Sequence, residues 1–220
     1  YEKSIFNVFD THTIISEEEK KHISHPKKNQ IHIVPNGVDF NHFNPINTKP
    51  KYDLVFVGNM RYAPNIDAAI YLCHEILPKI QKEIPDAKIL IAGAQPTFKV
   101  KKLKSEFVEV SGWIEDIRTA YLESKIFIAP MRMGTGLQNK LLEAMAMEKA
   151  CITTPIANNA LKAPKSTILV GETSEELAQH CIHLLENESI RKRCAKVGRK
   201  FVKKTYKWTE TTERLNELFL

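Results

Sequence analysis

The sequence predicts an α/β protein built around a doubly wound, parallel β-sheet. From Tyr52 onward, short β-rich runs alternate with amphipathic helical runs. Three of the predicted strands end in glycine, at Gly58, Gly93 and Gly112. Alternation of this kind favours a parallel sheet with right-handed crossovers, covered by helices on both faces. Ligands bind such sheets beyond the carboxyl ends of the strands, where glycine permits a close approach.

The individual elements follow from the spacing of apolar residues. We predict strands over residues 53–58, 87–93, 107–112, 125–130, 150–154 and 167–170. We predict helices over residues 65–82, 97–105, 115–123, 137–148 and 174–186. The strand runs are short and bounded by turn residues, whereas the helical runs repeat apolar residues every three or four positions.

The first fifty residues do not fit this repeating unit. Residues 9–16 predict a strand, and the following helix has Ser16 as its N-cap and Glu19 in the capping-box position. Turn residues Pro35, Asn36, Gly37 and Pro45, followed by the run NTKPK, indicate a linker.

Basic residues are concentrated in two clusters, and the net charge of the chain is +6. One cluster is formed by the lysines of residues 99–104, and the other by an amphipathic helix over 191–204. The second cluster is either a solvated face or a surface attracted to an anionic membrane. Nucleic acid is not expected as a partner, because neither cluster is interleaved with aromatic residues. After this basic helix we predict a break near Tyr206 and a last helix capped by Thr209.

The composition is that of a globular protein with one sizeable core: 220 residues, of which 43% are hydrophobic. No run approaches the roughly 18 apolar residues that a membrane span needs. The four cysteines have no CxxC spacing and the eight histidines form no cluster, so reduced thiols and no metal are expected. The expected location is the cytoplasm, with peripheral attachment at the inner membrane face.

The segment GTGLQNKLLEAMA, residues 134–146, predicts a strand-to-helix turn at the ligand edge of the sheet. Backbone amides at such a turn, together with the helix dipole, form an anion site. The segment lacks the third glycine of a dinucleotide fingerprint and the GK[ST] sequence of a Walker loop. Two interpretations remain. Either Lys140 and Glu143 hold a nucleoside diphosphate, with Glu143 accepting from ribose hydroxyls, or they form an exposed i,i+3 pair.

An ordered set of motifs resembles the C-terminal half of retaining GT-B-fold glycosyltransferases, which use GDP-, UDP- or ADP-sugars. These motifs are VPNGVD (34–39), FVGNMRYAPNIDAA (56–69), ILPKI (76–80), ILIAGA (89–94), VSGWIEDIRTAY (110–121) and the segment 128–154. The resemblance covers nearly the whole chain and looks closest to a bacterial polysaccharide branch. It implies a Rossmann-like sheet that forms one half of a GT-B fold, with a nucleotide-diphosphate sugar as substrate and no metal or other cofactor.

The resemblance also implies how the chain is divided. Residues 1–35 are expected to be a remnant of an N-terminal acceptor domain, and residues 36–50 an interdomain linker. Residues 51–205 would form the nucleotide-sugar-binding domain, and residues 206–220 a C-terminal crossover helix. The chain alone would bind the donor and would be inactive without its acceptor domain.

Roles for individual residues come from the same resemblance. Glu143 would bind the nucleotide ribose, while Arg61 and Lys140 would neutralise the departing diphosphate as catalytic residues. The other donor-binding residues would be Gly58, Gly112, Trp113, Ile114, Gly134, Thr135, Gly136, Leu137 and Gln138. The glycine turn would contact the diphosphate and the sugar, and the segment after Gly112 would contact the base through its main chain.

Two positions depart from the family pattern. Thr135 stands where the family commonly carries a glutamate that contacts the transferred sugar, and a usual lysine falls near Pro64 and Asn65. Lys140 would replace that missing cation. The expected function is retaining transfer of a hexosyl group in cell-surface polysaccharide or glycolipid synthesis. The alternative is a non-catalytic nucleotide-sugar sensor or scaffold, and a nonhydrolysing epimerase is a weaker third, since no acid and base residues for it are found.

Overall fold

The computed structural model describes residues 2–134 and 136–219, and its centre is a six-stranded parallel sheet. The strands within these residues are β1 (Thr13–Ile14), β2 (His32–Ile33), β3 (Tyr52–Val57), β4 (Ile89–Ala92), β5 (Val108–Gly112), β6 (Ser124–Ala129), β7 (Ala150–Thr153) and β8 (Leu169–Val170). The central sheet has the order β5-β4-β3-β6-β7-β8, and β1 and β2 form a separate parallel pair. The predicted doubly wound parallel sheet is confirmed.

Helices cover both faces of this sheet. Those in the described residues are α1 (Glu2–Ile5), α2 (Glu17–His22), α3 (Ala63–Tyr71), α4 (Leu77–Ile80), α5 (Phe98–Lys101), α6 (Arg118–Leu122), α7 (Asn139–Ala146), α8 (Pro155–Leu161), α9 (Ser174–Glu186), α10 (Glu188–Thr205) and α11 (Trp208–Asn216). No helix in this part of the chain is both long and apolar enough to cross a membrane.

The central strands are buried on both faces, as the helical layers require. Every residue of β4 and β7 is buried. In the middle of the sheet, Leu54 pairs with Ile89 on one side and Ile126 on the other, and all three are fully buried. This accounts for the continuous apolar runs in the sequence, because strands covered on both faces do not alternate with polar residues.

The long helix predicted over 65–82 is interrupted. A π-helical turn spans Leu72–Ile76 between α3 and α4. Pro78 follows at the start of α4, and a proline has no N–H to donate to the carbonyl one turn earlier. The backbone widens locally to accommodate it, which is a common way to keep a helix running past such a residue.

Three predicted helices are shorter than the apolar pattern suggests. Residues 97–105, 115–123 and 137–148 contain α5, α6 and α7. The start of α6 is delayed because the Asp116 carboxylate accepts from the backbone N–H of Arg118, at 3.0 Å. The helix predicted over 174–186 is confirmed as α9, whereas α8 was not predicted.

The ends of the chain differ more from expectation. The strand predicted over 9–16 is reduced to β1, although the Ser16 cap is confirmed, since its hydroxyl accepts from the Glu19 N–H at 3.2 Å. The prediction that Thr209 caps the last helix is wrong, because α11 already begins at Trp208. A bridge between Val38 and Lys207 fixes the chain just before that start.

The turns after β3 and β4 approach each other closely enough that only glycine fits. Gly93 has φ +134°, and a Cβ there would lie 1.9 Å from the carbonyl oxygen of Gly58. Gly112 also has a left-handed backbone, with φ +71°, but a Cβ there would meet no atom within 4 Å. The two glycines therefore have different reasons for their lack of a side chain.

This difference can be tested by alanine substitution at the two positions. We expect Gly112→Ala to lower the free energy of unfolding by about 1–2 kcal/mol, the usual cost of a left-handed conformation for a residue with Cβ. Gly93→Ala adds a backbone collision and should cost at least about 3 kcal/mol. Urea unfolding measures both values, and equal losses would show that the close approach does not constrain the fold.

Candidate functional site

A cleft of about 620 Å³ opens at the carboxyl ends of β3, β4 and β5. Its walls come from the turns after these strands, from the start of α6, from α7 and from the linker. The lining residues are His42, Val57, Gly58, Asn59, Gly93, Ala94, Trp113, Ile114, Glu115, Asp116, Ile117, Arg118 and Glu143. Both its size and its position at the end of a parallel sheet are typical of a small-molecule site.

Glu143 contributes a carboxylate to the cleft from α7. The buried phenol of Tyr121 donates a hydrogen bond to its Oε2 atom, at 2.7 Å. Burial raises the pKa of Glu143, while the hydrogen bond from Tyr121 and the charge of Lys140 act in the opposite direction. Tyr121 therefore fixes the orientation of the carboxylate and leaves oxygen lone pairs available toward the cleft.

Lys140 lies one helical turn before Glu143 but has different partners. Its Nζ atom donates to the Oδ1 atom of Asn65 and lies 4.7 Å from the centroid of the Phe56 ring. Asn65 is buried and its amide donates to the carbonyl of Asn59, at 2.9 Å. Burial lowers the pKa of Lys140 to about 8. No ion pair with Glu143 is found in the described part of the chain, so the exposed i,i+3 pair is not the arrangement that forms.

Among the described residues, no side chain caps the first amides of α7. Gln138 occupies the N-cap position, and its side chain donates to the carbonyl of Gly136, at 3.1 Å, rather than capping the helix. Gly134 has φ +95°, which a glycine adopts without strain. Uncapped first-turn N–H groups with the helix dipole behind them favour an anion.

The structure gathers only part of the predicted set around the cleft. Among the described residues, Gly58, Trp113, Ile114 and Glu143 line it. Gly112 precedes that wall, and its carbonyl accepts from the N–H of Gly93, at 3.2 Å.

The other predicted residues lie outside the cleft wall. Gly134, Gly136 and Gln138 form the turn before α7, and the Leu137 side chain is buried in the core, so only its backbone is available. Arg61 is exposed on the turn after β3. Thr135 lies outside the described residues.

Sequence reasoning missed several residues that shape the site. Tyr121 and Asn65 look like ordinary helical positions until the fold brings them against α7. His42 reaches the cleft from the linker, and its backbone carbonyl accepts from the Arg118 guanidinium, at 3.0 Å. Asp116 pairs with Arg118, which lowers the pKa of that carboxyl to about 2. The contacts of Tyr121, Asn65 and His42 join separate segments of the chain and leave no periodic pattern to detect.

The fold and the cleft define a Rossmann-like α/β domain with a ligand site at the carboxyl edge of the sheet. One helix, α7, carries both the carboxylate of Glu143 and the cation of Lys140. Residues 51–187 match the family described as Glycosyl transferases group 1, and the chain belongs to that family.

Two curated proteins share moderate sequence identity with the chain. It is 29% identical over 171 residues to an uncharacterized 44.6 kDa protein in the cps region of Klebsiella pneumoniae, covering 71% of this chain and 44% of that protein. It is 26% identical over 180 residues to the uncharacterized glycosyltransferase MJ1069 of Methanocaldococcus jannaschii, covering 78% of this chain and 45% of that protein. The chain thus spans less than half the length of each of these relatives.

Solved structures share the fold at low sequence identity. HepE of Anabaena in complex with UDP and glucose gives a TM-score of 0.79 at 13% identity, over 98% of this chain and 64% of that one. Sucrose-phosphate synthase of Thermosynechococcus elongatus gives 0.78 at 17% identity, over 99% of this chain and 59% of that one. These likenesses confirm the Rossmann-like α/β fold predicted from the sequence.

We expect Lys140, the partly buried lysine of the site, to change how the free energy of unfolding depends on pH. Its pKa of about 8 in the folded chain lies below the ordinary value of 10.5. Between these values the unfolded chain binds more protons, so stability rises with pH by up to about 1.4 kcal/mol per pH unit from this group. We expect Lys140→Met to remove that part of the slope in urea unfolding at pH 7 to 10.

Lys125→Met provides the matched control, because Lys125 is more exposed and pairs with Asp53 at the amino ends of β3 and β6. A slope between pH 8 and 10 that is the same in Lys140→Met and in the wild-type chain would contradict the burial of this charge.

Proposed function

We propose that the cleft binds a nucleotide-diphosphate sugar and that the full-length protein transfers the sugar to an acceptor. The observation that carries this is the Glu143 carboxylate, held by Tyr121 inside a cleft at the carboxyl edge of the sheet. Family membership supports the reaction class. The structure of HepE in complex with UDP and glucose supports the class of donor.

In this proposal Glu143 accepts hydrogen bonds from the ribose hydroxyls. A carboxylate has lone pairs for two vicinal hydroxyls in addition to the bond from Tyr121. The base would lie along the turn after β5, against the backbone of Trp113 and Ile114. Trp113 is 76% exposed, so its ring is available to a ligand at the mouth of the cleft.

The diphosphate would lie between the start of α7 and the turn after β3. Its negative charge rises as the bond to the sugar breaks, and fixed cations and amides stabilise that charge. Lys140 is the better-placed cation, since Asn65 holds its amine where the family commonly brings a lysine of its own. A dianionic ligand there also compensates the burial of the ammonium group. Arg61, exposed on the neighbouring turn, would add a second charge.

We further propose that transfer retains the anomeric configuration. The bond between the anomeric carbon and the diphosphate oxygen breaks while the acceptor oxygen bonds to the same face of the sugar. The acceptor proton passes to the departing phosphate, so the donor half needs no protein base. No metal or other cofactor is proposed. The acceptor would be held by a part of the protein beyond this donor domain, with residues 1–35 as its remnant.

We propose that this reaction takes place at the cytoplasmic face of the membrane, in synthesis of a cell-surface polysaccharide or glycolipid. The Klebsiella relative from a cps region supports this setting. Turnover by the full-length protein, with nuclear magnetic resonance of the product's anomeric configuration, tests it. Donor binding without any turnover would favour the alternative of a sensor or scaffold.

Donor binding by the chain itself can be measured by calorimetry with UDP, GDP and ADP. We expect at least one nucleotide to bind, and Glu143→Ala to weaken it at least about tenfold, because hydrogen bonds to a charged group contribute about 1.5–3 kcal/mol. Tyr121→Phe keeps the carboxylate but frees its orientation, and should cause a smaller loss. Glu109→Ala, on an edge strand where Glu109 pairs with Lys104, is the control. Equal binding by Glu143→Ala and wild type would remove Glu143 from the site.

The outer face of α10 supports a peripheral position at an anionic membrane. The helix contains eight basic residues and one acidic residue, so it holds more than the whole net charge of the chain. Its buried face is formed by Ala195, Gly198 and Val202. Four lysines on the exposed face have no ion pair in the described residues, namely Lys196, Lys200, Lys203 and Lys204. Lysines near an anionic surface contribute about 1 kcal/mol each.

Vesicle sedimentation tests this surface. The chain is expected to bind vesicles that contain phosphatidylserine and not vesicles of phosphatidylcholine alone. Reversing three charges together, Lys196→Glu, Lys200→Glu and Lys203→Glu, should weaken binding at least about a hundredfold. The control reverses the three charges of Lys99, Lys101 and Lys102 in the other cluster. If both triple variants lose binding equally, the attraction is one of net charge and not of this face.

A further inference from the structure

The segment before the linker lies against the carboxyl edge of the central sheet. Helix α2 packs against α8, which follows directly after β7. A further contact ties the linker to the site, because the Asn36 amide donates to the Asn139 side chain at the start of α7, at 3.1 Å. The N-terminal segment is therefore placed next to the glycine turn that precedes α7.

Glu19 on α2 brings a carboxylate against that turn. Its Oε2 atom accepts from the hydroxyl of Ser16, at 3.2 Å, and Ser16 is itself buried. The other oxygen, Oε1, faces Gly136 so closely that a Cβ on this glycine would lie 2.6 Å from it. One oxygen of the carboxylate is thus fixed by its own helix, and the other is directed at the backbone of the turn.

This contact joins the second glycine of the GTG sequence to α2. Gly134 has a backbone that favours glycine, with φ +95°. At Gly136, the atoms nearest to the position of a Cβ belong to the end of the Glu19 side chain. The glycine and the glutamate, which lie far apart in the chain, form one feature.

The chemistry of a carboxylate limits what it can recognise beside this turn. A phosphate group is excluded as its partner, because two anions in contact repel each other. Hydroxyl groups are suitable partners, because an ionised carboxylate acts only as an acceptor and its hydrogen bonds with neutral donors are strong. On the proposed function, the diphosphate lies at the start of α7 and the nucleoside lies on the Glu143 side. The part of the donor that remains is the sugar.

We infer that Glu19 recognises hydroxyl groups of the transferred sugar and so helps to determine donor specificity. This inference rests on the proposed function, and it assigns to the N-terminal segment a part in donor binding. It places the sugar-binding carboxylate on α2, whereas position 135 carries a threonine. Glu19 does not touch the reacting bond in this arrangement, and it acts through binding of the sugar.

The test compares nucleotides with and without the sugar in calorimetry. UDP, GDP and ADP are titrated beside UDP-glucose, GDP-mannose and ADP-glucose into wild type and Glu19→Gln. Glutamine can still serve in a capping box, so α2 is expected to remain folded. We expect the affinity for the nucleotide sugar to fall about tenfold, the loss of one charge-assisted hydrogen bond, while the affinity for the free nucleotide stays the same.

Two further variants keep the test independent of α2 stability. Glu19→Asp withdraws the carboxylate from the turn but keeps an acidic residue near the start of α2, and it should give the same selective loss. Glu18→Gln is the matched control, because Glu18 lies beside Glu19 and pairs with Lys21 at 2.6 Å. It should bind all ligands as wild type does.

The outcomes separate this inference from the proposed function. If wild type binds no nucleotide in either form, the proposed function is wrong and the inference fails with it. If wild type binds nucleotides and Glu19→Gln binds the sugar conjugates equally well, only the inference is wrong. An equal loss for free and conjugated nucleotides would also overturn it, because Glu19 would then affect the nucleotide part of the site.

Discussion

The close approach of the turns after β3 and β4 is the constraint on which the site depends. The Gly58 N–H donates to the Ala92 carbonyl and the Met60 N–H to the Ala94 carbonyl, so the sheet pairing continues past the ends of both strands. This continuation brings the two turns together, and Gly93 is the residue that permits it. Buried polar backbone stays paired in this way, and the floor of the cleft can be backbone without leaving unsatisfied groups. A ligand at this floor meets the main chain of Gly58 and Gly93.

Helix α7 positions the two charged residues of the site, Lys140 and Glu143, relative to this floor. Its apolar residues Leu141, Leu142 and Met145 are buried, and this packing fixes the helix relative to the sheet. Lys140 and Glu143 then have no freedom to pair with each other, because each is held by a partner from another element, Asn65 and Tyr121 respectively. The separation leaves the carboxylate of Glu143 at the cleft wall, while the amine of Lys140 is held by Asn65 on α3. A direct ion pair would have satisfied both groups and left neither for a ligand.

The fold could be predicted from the sequence, because the spacing of apolar residues and the positions of turn residues are local signals of strands and helices. The interior of the site could be predicted only in part. Glu143 and the turn before α7 follow from a contiguous motif, whereas Asn65, Tyr121 and His42 come from separate segments whose meeting depends on strand order. Helix boundaries failed where one side chain decided the start, as Asp116 does at α6, since apolar spacing contains no information about such a cap.

Glu19 is another residue whose contact with a distant segment could not be predicted from the sequence. Its position three residues after the Ser16 N-cap is visible in the sequence, and its contact with the Ser16 hydroxyl is local to the start of α2. Its second contact, with Gly136, appears only when the N-terminal segment is placed across the sheet edge. Here the contact with Gly136 brings the carboxylate to the turn before α7, and only the folded chain shows that position.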